Sequence, residues 1–264
     1  MPSPTGSAGD TTIATGPTPP ATSAHAATST GGSQPTTTAA PTPAGLRGAT
    51  IALDPGHNGG NFAHPSVINA PVFVGNGTKA CDTTGTATAD GYTEAAYNFD
   101  VATRLAALLR AAGTTVVLTR PDNAGVGPCV TQRAAIGNQA HAAVAISIHA
   151  DGGPTGGRGF HVIQPAPIAG YNTAIVAASD RLALDVRRDY QAATGMPFST
   201  YAGSSGLETR SDLGGLNLST VPKVFIETGN MQNGTDAALL ESPDYRQKVA
   251  TGLFQAFADF LAGR

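Results

Sequence analysis

The sequence has no tryptophan, few charged side chains and no long apolar run. Charged residues make up 12% of the 264 residues, and 15 basic against 18 acidic side chains give a formal net charge of -3. This balance provides no basic surface for nucleic acid or anionic lipid, so we expect neither as a partner. No stretch approaches the roughly 18 apolar residues that cross a bilayer, so we predict no transmembrane segment. The chain also opens without the charged and apolar regions of a signal peptide, so any export signal is missing from it.

Cysteine is nearly absent, since Cys81 and Cys129 are the only two. Their spacing matches no CxxC pair, which argues against a thiolate zinc site. Both lie in segments rich in glycine, threonine and proline rather than in apolar runs, and this favours a disulfide between them over two separate buried thiols. A disulfide would indicate an oxidising compartment outside the cytoplasm.

Composition divides the chain into a tail and one domain. Residues 1–44 are almost entirely Pro, Thr, Ala, Ser and Gly, and Asp10 and His25 are the only ionisable side chains among them. Such a segment cannot bury enough apolar surface to offset the entropy of ordering, so we predict a disordered tether. Residues 45–264 then form a single domain.

Within that domain, short β-branched runs alternate with helical periods, which predicts an α/β fold. A turn at residues 54–56 should end the first strand, because Pro and Gly both favour turns. In the closing helix Val249, Leu253, Phe257 and Phe260 share one face, which we expect to pack against the sheet. We predict strands at residues 50–53, 115–119, 143–149, 160–164 and 223–227, and helices at residues 94–112, 131–140, 173–193 and 243–262.

Three polar residues stand where predicted elements begin or end. His57 follows the first strand and its turn, Glu94 opens a helix, and His149 ends an apolar strand. Two imidazoles and one carboxylate are a ligand set that leaves a fourth zinc position for water. Because the carboxyl ends of parallel strands meet at one edge of a sheet, these side chains could converge. Taken singly, each has a structural explanation, as a hydrogen-bonded histidine or as an acid at a helix N-terminus.

Glu227 ends the apolar run Val224-Phe225-Ile226. A buried carboxylate beside a metal has its pKa set by desolvation and by the cation's field, which suits proton exchange with a water. We therefore interpret Glu227 as a general base; the alternative is a salt-bridged acid at a strand end. His161, in another predicted strand, is a further histidine that could face either the groove or solvent.

These segments resemble a known family. Ile51-Ala52-Leu53-Asp54-Pro55-Gly56-His57, Thr93-Glu94, Ser147-Ile148-His149-Ala150-Asp151 and Phe225-Ile226-Glu227-Thr228-Gly229-Asn230 are similar, in order and spacing over residues 48–262, to the zinc N-acetylmuramoyl-L-alanine amidases. The resemblance implies a mixed twisted sheet flanked by helices and one Zn²⁺ held by His57, Glu94 and His149. It makes Glu227 the catalytic acid and base in hydrolysis of the amide between N-acetylmuramic acid and L-alanine in peptidoglycan. We further expect an exported protein that is a monomer.

The chain departs from the family after Glu227, where Gly-Phe and a small residue usually precede Asn, whereas here Thr228-Gly229 do. This leaves the neighbouring substrate contacts open. We further expect the Cys81–Cys129 bond to hold the long segment between His57 and Glu94 beside the groove. Asp54 or Asp151 could orient a ligand imidazole, because zinc-bound histidine usually donates its other N–H to an acceptor; the alternative for each is a local cap.

Two other functions remain open at this point. A zinc peptidase acting on the peptide stem would use the same metal on another bond, and a zinc-containing wall-binding module would have no turnover. The presence of Glu227 argues against the second. The sequence identifies no activator protein.

Overall fold

A computed structural model describes residues 45–263, so the predicted tether at residues 1–44 lies outside the described residues. The strands are β1 (Thr50–Pro55), β2 (Pro71–Phe73), β3 (Thr78–Ala80), β4 (Thr115–Leu118), β5 (Val144–Asp151), β6 (His161–Pro165), β7 (Leu207–Arg210) and β8 (Lys223–Asn230). The helices are α1 (Pro65–Ile68), α2 (Glu94–Ala111), α3 (Val130–Gln139), α4 (Val176–Thr194), α5 (Gly214–Asn217), α6 (Gly234–Leu240) and α7 (Pro243–Ala262). Across residues 45–263, no helix combines the length and apolar character that a bilayer crossing requires.

Six strands form one mixed sheet in the order β4-β1-β5-β8-β6-β7. The first four are parallel to one another, whereas β6 runs antiparallel to β8 and parallel to β7. This confirms the predicted α/β fold with a mixed sheet. Because β5 and β8 are parallel neighbours, their carboxyl ends meet at one edge, and His149 pairs in register with Glu227.

One face of the sheet is covered by α2, α4 and α7, which share a single apolar core with the strands. The closing helix begins as predicted, since the Ser242 hydroxyl accepts a hydrogen bond from the Tyr245 amide and Pro243 occupies the first turn. Its apolar face is buried in this core, but it packs chiefly on α2 and α4 rather than directly on the sheet, because those two helices cover the strands. The opposite face of the sheet carries α3, α5 and the polar side chains of the candidate site.

The predicted turn at residues 54–56 starts two residues too early. Asp54 and Pro55 continue β1, pairing with Ser147 and Ile148 of β5. Proline is tolerated because it is the last strand residue, where its missing N–H removes little of the ladder. The turn begins at Gly56, whose amide still donates to the Ile148 carbonyl at 3.0 Å. The short elements α1, β2, β3, β7, α5 and α6 were not predicted, because three to seven residues carry no clear periodicity.

The disulfide between Cys81 and Cys129 is present. It joins the residue after β3 to the residue that caps α3, across a sequence separation of 48. The adjacent backbones are also bonded, since the Val130 amide donates to the Cys81 carbonyl at 2.8 Å. The disulfide that the sequence predicts therefore holds the segment between His57 and Glu94 against the start of α3.

Candidate metal centre

His57 sits in the turn after β1 with a positive φ of 57°, a conformation that side chains other than glycine rarely adopt. The residue before it must be glycine, because a Cβ on Gly56 would lie 2.0 Å from the His149 ring. Gly85 is required on the other side, since its φ is +74° and a Cβ there would lie 2.8 Å from both Glu94 and His57. The backbone around the two imidazoles is thus packed too closely for larger residues.

Glu94 is the first residue of α2, whose N-cap is Thr93. The side chain is buried, and its Oε2 accepts a hydrogen bond from the Thr86 amide at 3.0 Å. This leaves Oε1 directed at both imidazoles, 2.8 Å from Nδ1 of His149 and 3.2 Å from Nε2 of His57. The helix therefore delivers one carboxylate oxygen between two ring nitrogens.

His149 is held in place by its neighbours on the sheet. Its ring stacks on Phe225 of β8, with centroids 4.0 Å apart and planes 15° from parallel. The two imidazoles meet edge to face, with centroids 4.8 Å apart. One potential ligand atom from each of His57, Glu94 and His149 lies within 4.8 Å of the other two.

This donor set fits a metal cation. Burial by itself lowers the pKa of His57, but the charge of Glu94 and the hydrogen bond to Asp82 raise it to about 10. The ionised form of Glu94 is favoured in turn, since His57 and His149 lower its pKa despite complete burial. The ionised carboxylate of Glu94 stabilises the proton on His57, and it could equally stabilise a divalent ion between the two rings, whose binding would release that proton.

Glu227 lies beside this cluster on β8, in register with His149. Its Oε2 is buried and has no hydrogen-bond partner among residues 45–263. Burial, followed by the negative charges of Glu94 and Asp151, raises the pKa of the Glu227 carboxyl well above its ordinary value. Next to a metal centre, such a group can accept and return a proton near neutral pH.

A family model described as N-acetylmuramoyl-L-alanine amidase matches residues 51–259, which include every residue of this cluster. The chain belongs to the N-acetylmuramoyl-L-alanine amidase family. It is therefore an enzyme that hydrolyses an amide bond.

Similar proteins support this membership. The N-acetylmuramoyl-L-alanine amidase Rv3717 of Mycobacterium tuberculosis is 43% identical over 225 residues, covering 85% of this chain and 91% of that protein. The crystal structure of the amidase Ami1 from Mycobacterium smegmatis is 42% identical with a TM-score of 0.77, covering 83% of this chain and 99% of that one. Apo Ami1 from Mycobacterium abscessus gives the same identity and TM-score, covering 81% and 99%.

In this amidase Asp54 does not orient a ligand imidazole, contrary to one sequence prediction. The Asp54 side chain projects from β1 toward α3 and is buried. A buried carboxylate is stable only with cationic or hydrogen-bonding partners. Its four hydrogen bonds come from Ser147 Oγ (2.6 Å), Thr119 Oγ1 (2.8 Å), Lys223 Nζ (2.9 Å) and Arg133 Nη1 (3.1 Å). Asp54 therefore anchors the sheet beneath the site.

Asp151 lines the cleft of the amidase at the end of β5. Within the described part of the chain, its carboxylate makes no hydrogen bond to either imidazole. It acts on the site through charge, since it helps to raise the pKa of Glu227. Asp151 therefore contacts neither candidate ligand imidazole in the described residues, and its role in orienting one stays a prediction.

The carboxylate that does contact a candidate ligand imidazole is that of Asp82, which sequence reasoning missed. Its Oδ1 lies 3.2 Å from Nδ1 of His57, and the carbonyl of Thr83 lies 3.1 Å from the same nitrogen. Oδ2 of Asp82 accepts from Nη2 of Arg133 at 3.1 Å, and that nitrogen also donates to the His57 carbonyl. Asp82 follows Cys81 and Arg133 lies in the first turns of α3, so the predicted disulfide was the signal that could have placed them together.

Proposed function

We propose that this amidase hydrolyses the amide between N-acetylmuramic acid and L-alanine in peptidoglycan, using one zinc ion. His57, Glu94 and His149 would hold the ion, and Glu227 would act as catalytic acid and base. The observation that carries the proposal is the meeting of three ligand atoms within 4.8 Å beside an acid whose pKa is raised. Family membership supports the choice of bond.

Zinc is the metal that this donor set suits best. Two imidazole nitrogens and one carboxylate oxygen form a three-ligand catalytic set, with a coordination position left for water or substrate. When bound, zinc lowers the pKa of a coordinated water to about 7 and polarises the scissile carbonyl. Within residues 45–263 no thiol is free to compete as a ligand, because both cysteines are in the disulfide.

Glu227 moves the protons in this proposal. Its carboxylate accepts a proton from the attacking water and then delivers that proton to the amine nitrogen of the departing L-alanine. The raised pKa serves the second step, because a strongly acidic carboxyl would hold the proton too weakly. Since water itself attacks, the reaction needs no covalent intermediate with the chain.

The substrate would enter the cleft that exposes the site. Its lining combines the four proposed catalytic and ligand residues with side chains from the hairpin β2–β3 and from the segment before α5. The cleft carries charges of both signs at its rim, where Lys79 pairs with Asp212 at 2.8 Å. A glycan strand with a peptide stem presents both hydroxyl and carboxylate groups to such a rim.

The test is a digest of purified muropeptides with zinc-loaded protein, followed by mass spectrometry. We expect free sugar and a peptide with a new N-terminal L-alanine. A shortened stem still attached to the sugar would instead identify a stem peptidase. Glu227→Gln should bind zinc as the parent does and lose activity by at least about a hundredfold; full activity in that variant would contradict the proposed acid and base.

We also propose that the protein acts outside the cytoplasm. The Cys81–Cys129 disulfide supports this, because such bonds persist in oxidising compartments. Thiol trapping in intact producing cells should find both cysteines oxidised in the exported fraction. Reduced thiols in that fraction would contradict the proposal.

A further inference from the structure

Glu227 lies between two histidines on neighbouring strands. His149 of β5 pairs with it on one side, and His161 of β6 pairs with it on the other. Residues paired across adjacent strands project from the same face of the sheet. The three side chains therefore form a row, of which the metal centre uses only His149.

His161 is almost fully buried, with 2% of its surface exposed. Its Nε2 lies 3.4 Å from a carboxylate oxygen of Glu208, whereas its Nδ1 is buried and has no hydrogen-bond partner among the described residues. Because a carboxylate only accepts, Nε2 carries the hydrogen in the neutral ring and Nδ1 is left as an acceptor. Such an acceptor is costly to bury without a donor.

Two more buried polar atoms near His161 also lack a well-aligned hydrogen bond within residues 45–263: Oε2 of Glu227 and the hydroxyl of Tyr201. The Tyr201 ring meets His161 edge to face, with centroids 6.3 Å apart. The loop after β5 packs closely against the Tyr201 ring. A Cβ on Gly153 would lie 2.5 Å from the ring, and a Cβ on Gly157 would lie 2.6 Å from it. Burial, then the charge of the Asp151 carboxylate and its hydrogen bonding to the hydroxyl, raise the pKa of Tyr201, so the group stays an O–H donor with Asp151 as one acceptor beside it.

Unsatisfied buried polar atoms are uncommon, and several in one place indicate a bound water or ligand group. One water among these atoms would satisfy all three. It would accept from the Tyr201 hydroxyl and donate one hydrogen to Nδ1 of His161 and the other to Oε2 of Glu227. Its position would direct the second carboxyl oxygen of Glu227 toward the cleft.

We propose that His161 is a positioning residue for Glu227, acting through one buried water that it shares with Tyr201. This inference rests on the proposed function of Glu227 as acid and base. It gives a role to the one strand histidine that the metal centre leaves unused, and it explains why the loop that carries Gly153 and Gly157 packs so closely on an aromatic ring.

The test uses two substitutions of His161 that differ in which ring nitrogen they imitate. In His161→Asn the side-chain amide lies near the position of Nδ1, whereas in His161→Gln it lies near that of Nε2. Loss of a partner that orients a metal ligand typically costs 10–100-fold in activity, and by analogy we expect His161→Gln to lower kcat by about that factor. KM and zinc content should stay within about twofold of the parent, as for an interaction made only in the transition state. His161→Asn should restore most of the lost kcat.

Gln164→Ala is the matched control, since Gln164 also lies on β6 but bonds to Thr209 away from the row. It should leave kcat unchanged. Tyr201→Phe should lower kcat by about tenfold or less, the cost of one hydrogen bond. Parental kcat in His161→Gln, or equal losses in the Gln and Asn variants, would overturn the inference. An active Glu227→Gln variant would instead overturn the proposed function, so the two failures are distinguishable.

Discussion

Replacing Asp82 with asparagine should weaken zinc binding without disturbing any of the three proposed ligands. The carboxylate of Asp82 accepts from Nδ1 of His57, which directs Nε2 of that ring toward Glu94. Although burial opposes ionisation, the hydrogen bond from His57 and the charge of Arg133 lower the pKa of Asp82, so it is charged near neutral pH. The substitution removes that charge and leaves an amide group in its place.

The size of the effect follows from what remains around His57. Loss of a partner that orients a ligand imidazole typically costs 10–100-fold in metal affinity. The Thr83 carbonyl still lies 3.1 Å from the same nitrogen, so the ring keeps one acceptor and the loss should be near the lower end. We expect Kd to rise about tenfold, which corresponds to about 1.4 kcal/mol. Asp82→Ala should cost more, because the buried Arg133 also loses one of its two carboxylate partners.

The assay is competition for zinc against a chromophoric chelator, with oxidised protein at fixed pH. Asp90→Asn is the control, since Asp90 lies in the same segment but is exposed. The parent and this control should have the same Kd. If Asp82→Asn also matched them, Asp82 would have no part in holding the metal ligand.

Three further perturbations test the support around the site. Asp54→Asn leaves the buried amine of Lys223 without its carboxylate and should destabilise the protein by about 3–5 kcal/mol, measured by urea unfolding; an unchanged midpoint would contradict this. Burial raises the pKa of Asp54, but Lys223 and Arg133 together hold it far below its ordinary value. The stabilisation by the ionised carboxylate should therefore be complete above about pH 4 and be lost as the pH falls below that value. Replacing Cys81 and Cys129 with serine should lower stability by about 2–4 kcal/mol; a Tm unaffected by the change would show that the bond stabilises nothing. Gly56→Ala should abolish zinc binding, because the new Cβ would overlap the His149 ring. Full metal content by elemental analysis would refute this prediction.

The long elements could be predicted because their sequences carry strong local signals. In α2 apolar residues recur at helical spacing behind the capping Thr93, and α7 starts at a capping serine followed by proline. Short elements such as β7 and α5 depend on tertiary contacts rather than on their own periodicity. They therefore appeared only in the structure.

The proposed ligand set could be predicted from polar residues at the ends of strands and at the start of a helix, but the side chains that support it could not. Asp54 stands next to the His57 turn, yet its carboxylate is bonded to Lys223, 169 positions later in the chain. The sequence around Asp54 contains no signal that identifies Lys223 as its partner. Asp82 reaches His57 only because the segment after β3 folds back onto α3, which depends on the disulfide and on Arg133.

The role inferred for His161 shows a similar limit. A strand residue's face can be read from alternation, but its neighbours depend on the order of strands in the sheet. Here β6 enters antiparallel beside β8, so His161 lies next to Glu227. That placement follows from the topology of the whole sheet, which local sequence patterns do not contain.

The most direct test of the account is X-ray absorption at the zinc edge of the purified, zinc-loaded protein. The account predicts one ion per chain with nitrogen and oxygen neighbours at about 2.0–2.2 Å, including the scattering pattern of two imidazoles. His149→Ala should remove one imidazole from that pattern. Sulfur at about 2.3 Å, or a spectrum that His149→Ala leaves unchanged, would contradict the proposed centre.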